Sequence, residues 1–185
     1  FNLDEEDEEF QGLTEEDLMS KFNVNTGVTY EKEVAAAALV ELALATKESF
    51  LPYVEETITI LKQQVEDSYG LKETVIVTYW AVVKSVILTS QPALENKFTK
   101  GLPSAAYVDP STLAVIESAR EVSLENLVDE AEVSVVTTIF ETISEMISKF
   151  GSIIVASSAS ATESLDTLCL QVLEVLKGEH SCQVI

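Results

Sequence analysis

Histidine and cysteine are nearly missing from this chain: there is one histidine, His180, and two cysteines, Cys169 and Cys182. A single imidazole excludes Ser-His-Asp triads and multi-His zinc sites. Two thiols do not make a disulfide framework. Cys169, inside Leu168-Cys169-Leu170, reads as a small buried hydrophobe, and Cys182 beside His180, with no third group or pocket in view, is not read as a catalytic Cys–His pair. This usage fits a reducing compartment, cytosol or nucleus. Glycine (6) and proline (4) are also few, which favours long helices over a turn-rich β sandwich. No apolar run approaches the roughly 18 residues of a membrane span, and no stretch has a signal-peptide pattern. Basic residues are scarce, 11 against 32 acids, for a formal net charge of −21. Such a surface repels nucleic-acid phosphate and anionic lipid, so neither is expected as a direct partner. It attracts Lys/Arg-rich peptides and proteins.

What is present is an aliphatic chain, 46% hydrophobic and only 7% aromatic, long enough at 185 residues for one ordinary domain. It opens at Phe1 without Met and closes at Ile185 without a helix stop, so we expect a piece of something longer. Residues 1–20 hold nine acids and no base, among them Asp4, Glu5, Glu6, Asp7, Glu8 and Glu9. That density of like charge predicts disorder over 1–12, as a solvated tail or as an interaction tail for basic ligands. Thr14 is placed to cap a short helix through Leu18.

From Thr29 the pattern is helical. Tyr30 to Thr46 carries apolar residues at i, i+3, i+4 spacing. A second helix covers 50–66, with Pro52 in its first turn. Others follow at 71–88, 111–128, 131–149 and 162–177, with Gly151 and Gly178 where helix-ending residues stand. Three of the four prolines fall in 90–110, which reads as a mobile loop containing Lys97, Phe98, Lys100 and Tyr107. The division expected is an acidic loop over 1–28 and a helical array over 29–185.

The helices repeat. Val65-x-Asp67-x-x-x-Leu71 recurs as Leu127-x-Asp129-x-x-x-Val133, and Glu33, Leu39 and Leu42 recur 40 residues on as Glu73, Tyr79 and Val82. The second spacing, about 62, is lengthened by the 90–110 insertion. Two helices about an acidic turn, with a period near 40, lie in the HEAT range. The predicted fold is an all-α HEAT-repeat solenoid of about three stacked hairpins. Its A helices are 50–66, 111–128 and 162–177, and its B helices are 30–46, 71–88 and 131–149. On this register the chain starts after an A helix and ends before a B helix.

The runs Asn25-Thr26-Gly27-Val28-Thr29-Tyr30-Glu31-Lys32-Glu33-Val34-Ala35-Ala36, Phe50-Leu51-Pro52-Tyr53-Val54, Glu66-Asp67-Ser68-Tyr69-Gly70-Leu71-Lys72-Glu73-Thr74 and Lys100-Gly101-Leu102-Pro103 resemble the central HEAT repeats of importin-β-type karyopherins. The importin-4-like branch, which carries histones and ribosomal proteins, is the part of the family resembled. The likeness covers roughly residues 23–185, and the acidic 1–20 resembles in character the acidic loop of these receptors. The resemblance implies import of basic cargo, release by the GTP-bound form of Ran, contact with Phe-Gly nucleoporins, and residence in cytoplasm and nucleus at the pore. It implies no enzymatic activity, cofactor or metal.

If the B helices line the concave side, Glu73, Val77, Trp80 and Lys84 form one stripe, with Ser134, Thr138, Glu141 and Glu145 beside it and Glu33, Ala37, Val40 and Leu44 on the other flank. Trp80 then offers its indole face to a lysine, worth roughly 0.5–2 kcal/mol, and Glu33, Glu73, Glu141 and Glu145 pair with further cations. The competing reading puts Trp80 in the core and leaves the glutamates as a solvated face. Two rival functions remain: a structural HEAT scaffold for folded partners, and an acidic histone-chaperone-like module acting through 1–20. An enzyme is the weakest, because adjacent acids such as Glu55 and Glu56 point different ways on a helix and lack any histidine or metal spacing.

Overall fold

The computed structural model describes residues 15–67, 70–95, 101, 108–158 and 161–183, with side chains throughout except at 15–26, 66 and 67. Among these are six α-helices and no strand: α1 Glu15–Thr46, α2 Val54–Asp67, α3 Lys72–Ser90, α4 Pro110–Glu125, α5 Val133–Phe150 and α6 Glu163–Lys177. They form a HEAT-type all-α solenoid in two layers, with A helices α2, α4 and α6 and B helices α1, α3 and α5. The central helix is α3, which packs on α1, α2, α4 and α5.

Local chemistry explains the helix ends. Asp109 caps α4 by accepting the N–H groups of Ser111 and Thr112 at 3.0 and 3.2 Å, and Pro110 occupies the first turn, where its missing N–H costs nothing. At the end of α6, Gly178 turns left-handed at φ 76°. Its N–H reaches the Val175 carbonyl at 3.1 Å, and the Glu179 N–H reaches Glu174 at 2.9 Å. These two bonds are a Schellman closure, which satisfies carbonyls the helix leaves open.

Burial sets the register. Val75, Ile76, Tyr79, Val83 and Val86 of α3 are matched 60 positions later by Val135, Val136, Ile139, Ile143 and Met146 of α5, all buried. The A-helix anchors Val65 and Leu127 are 62 apart, so the second A-to-B corner is two residues shorter. This corrects one expected equivalence: Leu71 is buried, whereas Val133 is 59% exposed and Val135 takes the core position. Across that corner the Lys72 ammonium meets the Glu130 carboxylate at 2.8 Å, tying one corner to the next. Burial alone would raise the Glu130 carboxyl, but Lys72 and the N–H groups of Glu132 and Ala131 outweigh it and hold the group below its ordinary value.

Several expectations change. The first helix starts at Glu15, not Tyr30, so the part of the expected 1–28 loop from 15 onward is helical. No proline interrupts it, and its one interior glycine, Gly27, costs only about 1 kcal/mol. Cys169 is exposed, because it lies on a side of α6 that no other helix among the described residues covers. By length and composition α3 is apolar enough to cross a membrane, yet 56% of that window is buried. A helix surrounded on most sides is apolar nearly all round. Thr14, the acids Asp4–Glu9 and the loop residues Lys97, Phe98, Lys100 and Tyr107 lie outside the described residues.

Candidate ligand-binding face on the B helices

The A layer and neighbouring B helices cover most of α3, leaving one narrow open strip. Its centre is Val77, 48% exposed, with Glu73, Thr74, Ala81, Lys84 and Leu88 half-buried around it. Trp80 is not on this strip. It is 1% exposed, and its indole N–H donates to the Ser123 hydroxyl on α4 at 2.8 Å. Positions 80 and 81 flank Val77 to either side around the helix, and the small Ala81 is half-buried at the strip while the large indole turns in. The expectation of an aromatic platform is therefore corrected. Trp80 is a core residue that locks one repeat to the next, as Tyr79 does through a 2.7 Å hydroxyl contact with Ser118. Burial raises the Tyr79 phenol above its usual range despite that contact.

The glutamates are brought to the open side with different freedom. Glu73 accepts the Ser134 hydroxyl of α5 at 2.6 Å. Glu145 is shared by two ammonium groups, Lys84 at 3.0 Å and Lys149 at 3.2 Å, whose hydrogen bonds hold its carboxyl below the usual range. Its charge is already spent inside the molecule, and Lys84 pairs there rather than standing alone. Glu141 is exposed and Glu33 on α1 is half-buried. Thr138 is half-buried, while its neighbour Thr137 is exposed. By the register, Ala37, Val77 and Thr137 form a small, weakly polar row across the three B helices. Glu33 and Glu73 lie on one side of that row, and Glu41 and Glu141 on the other.

One acid cluster among the described residues was missed in sequence. Glu117, Glu121 and Glu125 of α4, with Glu163 of α6, line a cleft of about 640 Å³ on the A layer. Their i, i+4, i+8 spacing is the signal that reveals them. Beneath lies Arg120, largely buried, which donates to Ser157 at 2.9 Å and stands 3.8 Å from Glu117. A second, more apolar cleft of about 510 Å³ opens between α2 and α4 and is lined by Leu51, Val54, Ile58 and Val115.

The open face of the B helices is acidic, and such a face attracts cations. Over 126 residues, 68% of its length, the chain is 26% identical to the probable importin subunit beta-4 of Schizosaccharomyces pombe. The chain is similar to an importin subunit. It spans 12% of that curated relative's length, and no family model matches it.

Proposed function

We propose that this chain is a cargo-handling segment of a nuclear transport receptor, acting by binding and not by catalysis. The supporting observation is the row Ala37–Val77–Thr137 between acids on a chain of net charge −21, together with the similarity to an importin subunit. An extended Lys/Arg-rich segment, such as the localisation signals of histones or ribosomal proteins, lays its aliphatic stems along that row. Its cations then meet Glu33, Glu73, Glu41 and Glu141. Glu145 contributes after exchanging Lys84 for a cargo cation. Release by Ran and shuttling between cytoplasm and nucleus belong to the same reading. The α2–α4 cleft, with its aliphatic lining, favours contact with the phenyl rings of Phe-Gly nucleoporins as a second role.

The experiment measures binding of a Lys/Arg-rich peptide at two salt concentrations. Exposed pairs contribute about 0.2–1 kcal/mol each, so the combined Glu73→Lys, Glu141→Lys variant is expected to weaken binding several-fold to tens-fold and flatten its salt dependence. The control is Glu117→Gln, Glu121→Gln, Glu125→Gln. Loss of binding in that control, with none in the charge-reversed variant, moves the site to the A-layer cleft and overturns the reading.

A further inference from the structure

Two lysines converge on one carboxylate of the open B face. Glu145 of α5 is exposed, and the ammonium groups of Lys84 and Lys149 both meet its Oε1, at 3.0 and 3.2 Å. The second oxygen, Oε2, takes neither of those contacts. Lys149 lies one turn on in the same helix, an ordinary i, i+4 pair. Lys84 reaches across from α3, 61 residues away in sequence, with 27% of its side chain exposed. The charge of Glu95 also acts on Lys84. An ammonium displaced from Glu145 therefore stays within the field of another carboxylate.

Lys84 thus stands where a cation from a bound segment would stand. An ammonium meets a carboxylate as a compact point charge. A lysine arriving from outside exchanges one such contact for an identical one. It also competes with a lysine already tethered beside the site, at high effective concentration. That exchange gains nothing. A guanidinium is different, because its planar fork donates two parallel N–H bonds, one to each carboxylate oxygen. It makes use of Oε2 as well as Oε1, and it is more weakly hydrated than an ammonium, so it loses less on leaving water. Glu73 offers a contrast on the same face. Its partner is the neutral Ser134 hydroxyl, which does not compete as a cation.

We propose that Glu145 is an arginine-selective position on the B-helix face, with Lys84 as the resident competitor that turns lysine away. The proposal rests on the binding of basic segments to this face, and it adds which cation one position accepts. Displacing Lys84 also breaks an α3–α5 link, so an arginine that enters here replaces a contact within the chain by one with the bound segment.

The test is calorimetric titration of the chain with a lysine-rich peptide, and with the same peptide carrying one central arginine in place of lysine. Salt of about 0.15 M, where the screening length is about 8 Å, suppresses the effect of distant charges. In the wild type the arginine is expected to tighten binding about two- to five-fold, the worth of one exposed charge pair. Glu145→Gln is expected to abolish that gain. Lys84→Met keeps the aliphatic stem and removes the competitor. In that variant the lysine peptide is expected to tighten by a similar factor, and the advantage of arginine to shrink. Lys62→Met, which takes the same charge from the A layer, is expected to leave both affinities unchanged. Circular dichroism of each variant checks that it is folded. An arginine gain that survives Glu145→Gln overturns the proposal. So does a lysine peptide that binds Lys84→Met no more tightly than it binds the wild type or Lys62→Met. A wild-type chain that binds neither peptide overturns this proposal together with the cargo-face reading, whereas binding without the selectivity overturns this proposal alone.

Discussion

Replacing Trp80 by alanine is the sharpest test of how the repeats are held together. The side chain is fully enclosed and bridges α3 to α4, with its N–H on Ser123. Truncating a buried tryptophan costs about 3–5 kcal/mol in lost transfer and cavity terms. Ser123 still donates to the Ala119 carbonyl at 2.8 Å, so the loss of the indole leaves only a lone pair unpaired, a smaller penalty. At about 2–4 °C per kcal/mol for a chain of this size, the melting temperature falls by roughly 6–20 °C. Because stability in a stacked array is a sum of repeats and their interfaces, the transition is also expected to broaden. Circular dichroism and calorimetry read both effects. In the wild type the sole tryptophan supplies its own check, since an enclosed indole resists quenching by iodide. A variant that melts like wild type, or a wild-type indole quenched as freely as a model compound, refutes the placement of Trp80 in the core. Basic-peptide affinity per folded molecule should be unchanged, and its loss in a fully folded variant restores the platform reading.

Glu130→Gln keeps the shape of the corner but removes the charge facing Lys72, and about 1–2 kcal/mol of stability is expected to go with it at neutral pH. The Glu130 carboxyl sits below its ordinary 4.5 in the folded chain. Its stabilisation is therefore full above that value and lost as pH falls through the lower folded one. Acid titration of the two proteins should converge there, and parallel curves down to low pH contradict the assignment. Gly178→Ala forces a Cβ into left-handed backbone at φ 76° with open space around it, so pure conformational strain of about 1 kcal/mol is expected from thermal melts. Gly178→Asn should cost less. Tyr79→Phe deletes the contact with Ser118 and is expected to lower stability by about 0.5–1.5 kcal/mol in the same assay.

Helix positions were legible because spacing and stop signals agree. The helix expected at 162–177 is Glu163–Lys177 in the structure, and the helix expected at 71–88 is Lys72–Ser90. The facing of α3 was not legible. A helix with neighbours on four sides exposes only a narrow strip, and residues 80 and 81 stand equally near its edge, so periodicity cannot rank an indole against a methyl. The Val133 equivalence failed for a related reason, since one shortened corner shifts every later position without altering the motif. Ion pairs between helices, such as Lys84–Glu145, join residues 61 apart and depend on that same shift.

Two polar links across the open face of the B layer have a mechanical meaning. Glu73–Ser134 and Lys84–Glu145 both join α3 to α5 near solvent. Contacts of that kind are worth about 0.2–1 kcal/mol, comparable to the thermal energy of about 0.6 kcal/mol at room temperature. The A-side junction is stiffer, because Trp80 and Tyr79 pin α3 to α4 through buried contacts. The B side is held by the buried packing of α5 on α3, and these two links tie only its solvent edge. Salt screens Lys84 from Glu145 and so loosens that edge, while leaving the apolar packing beneath it in place.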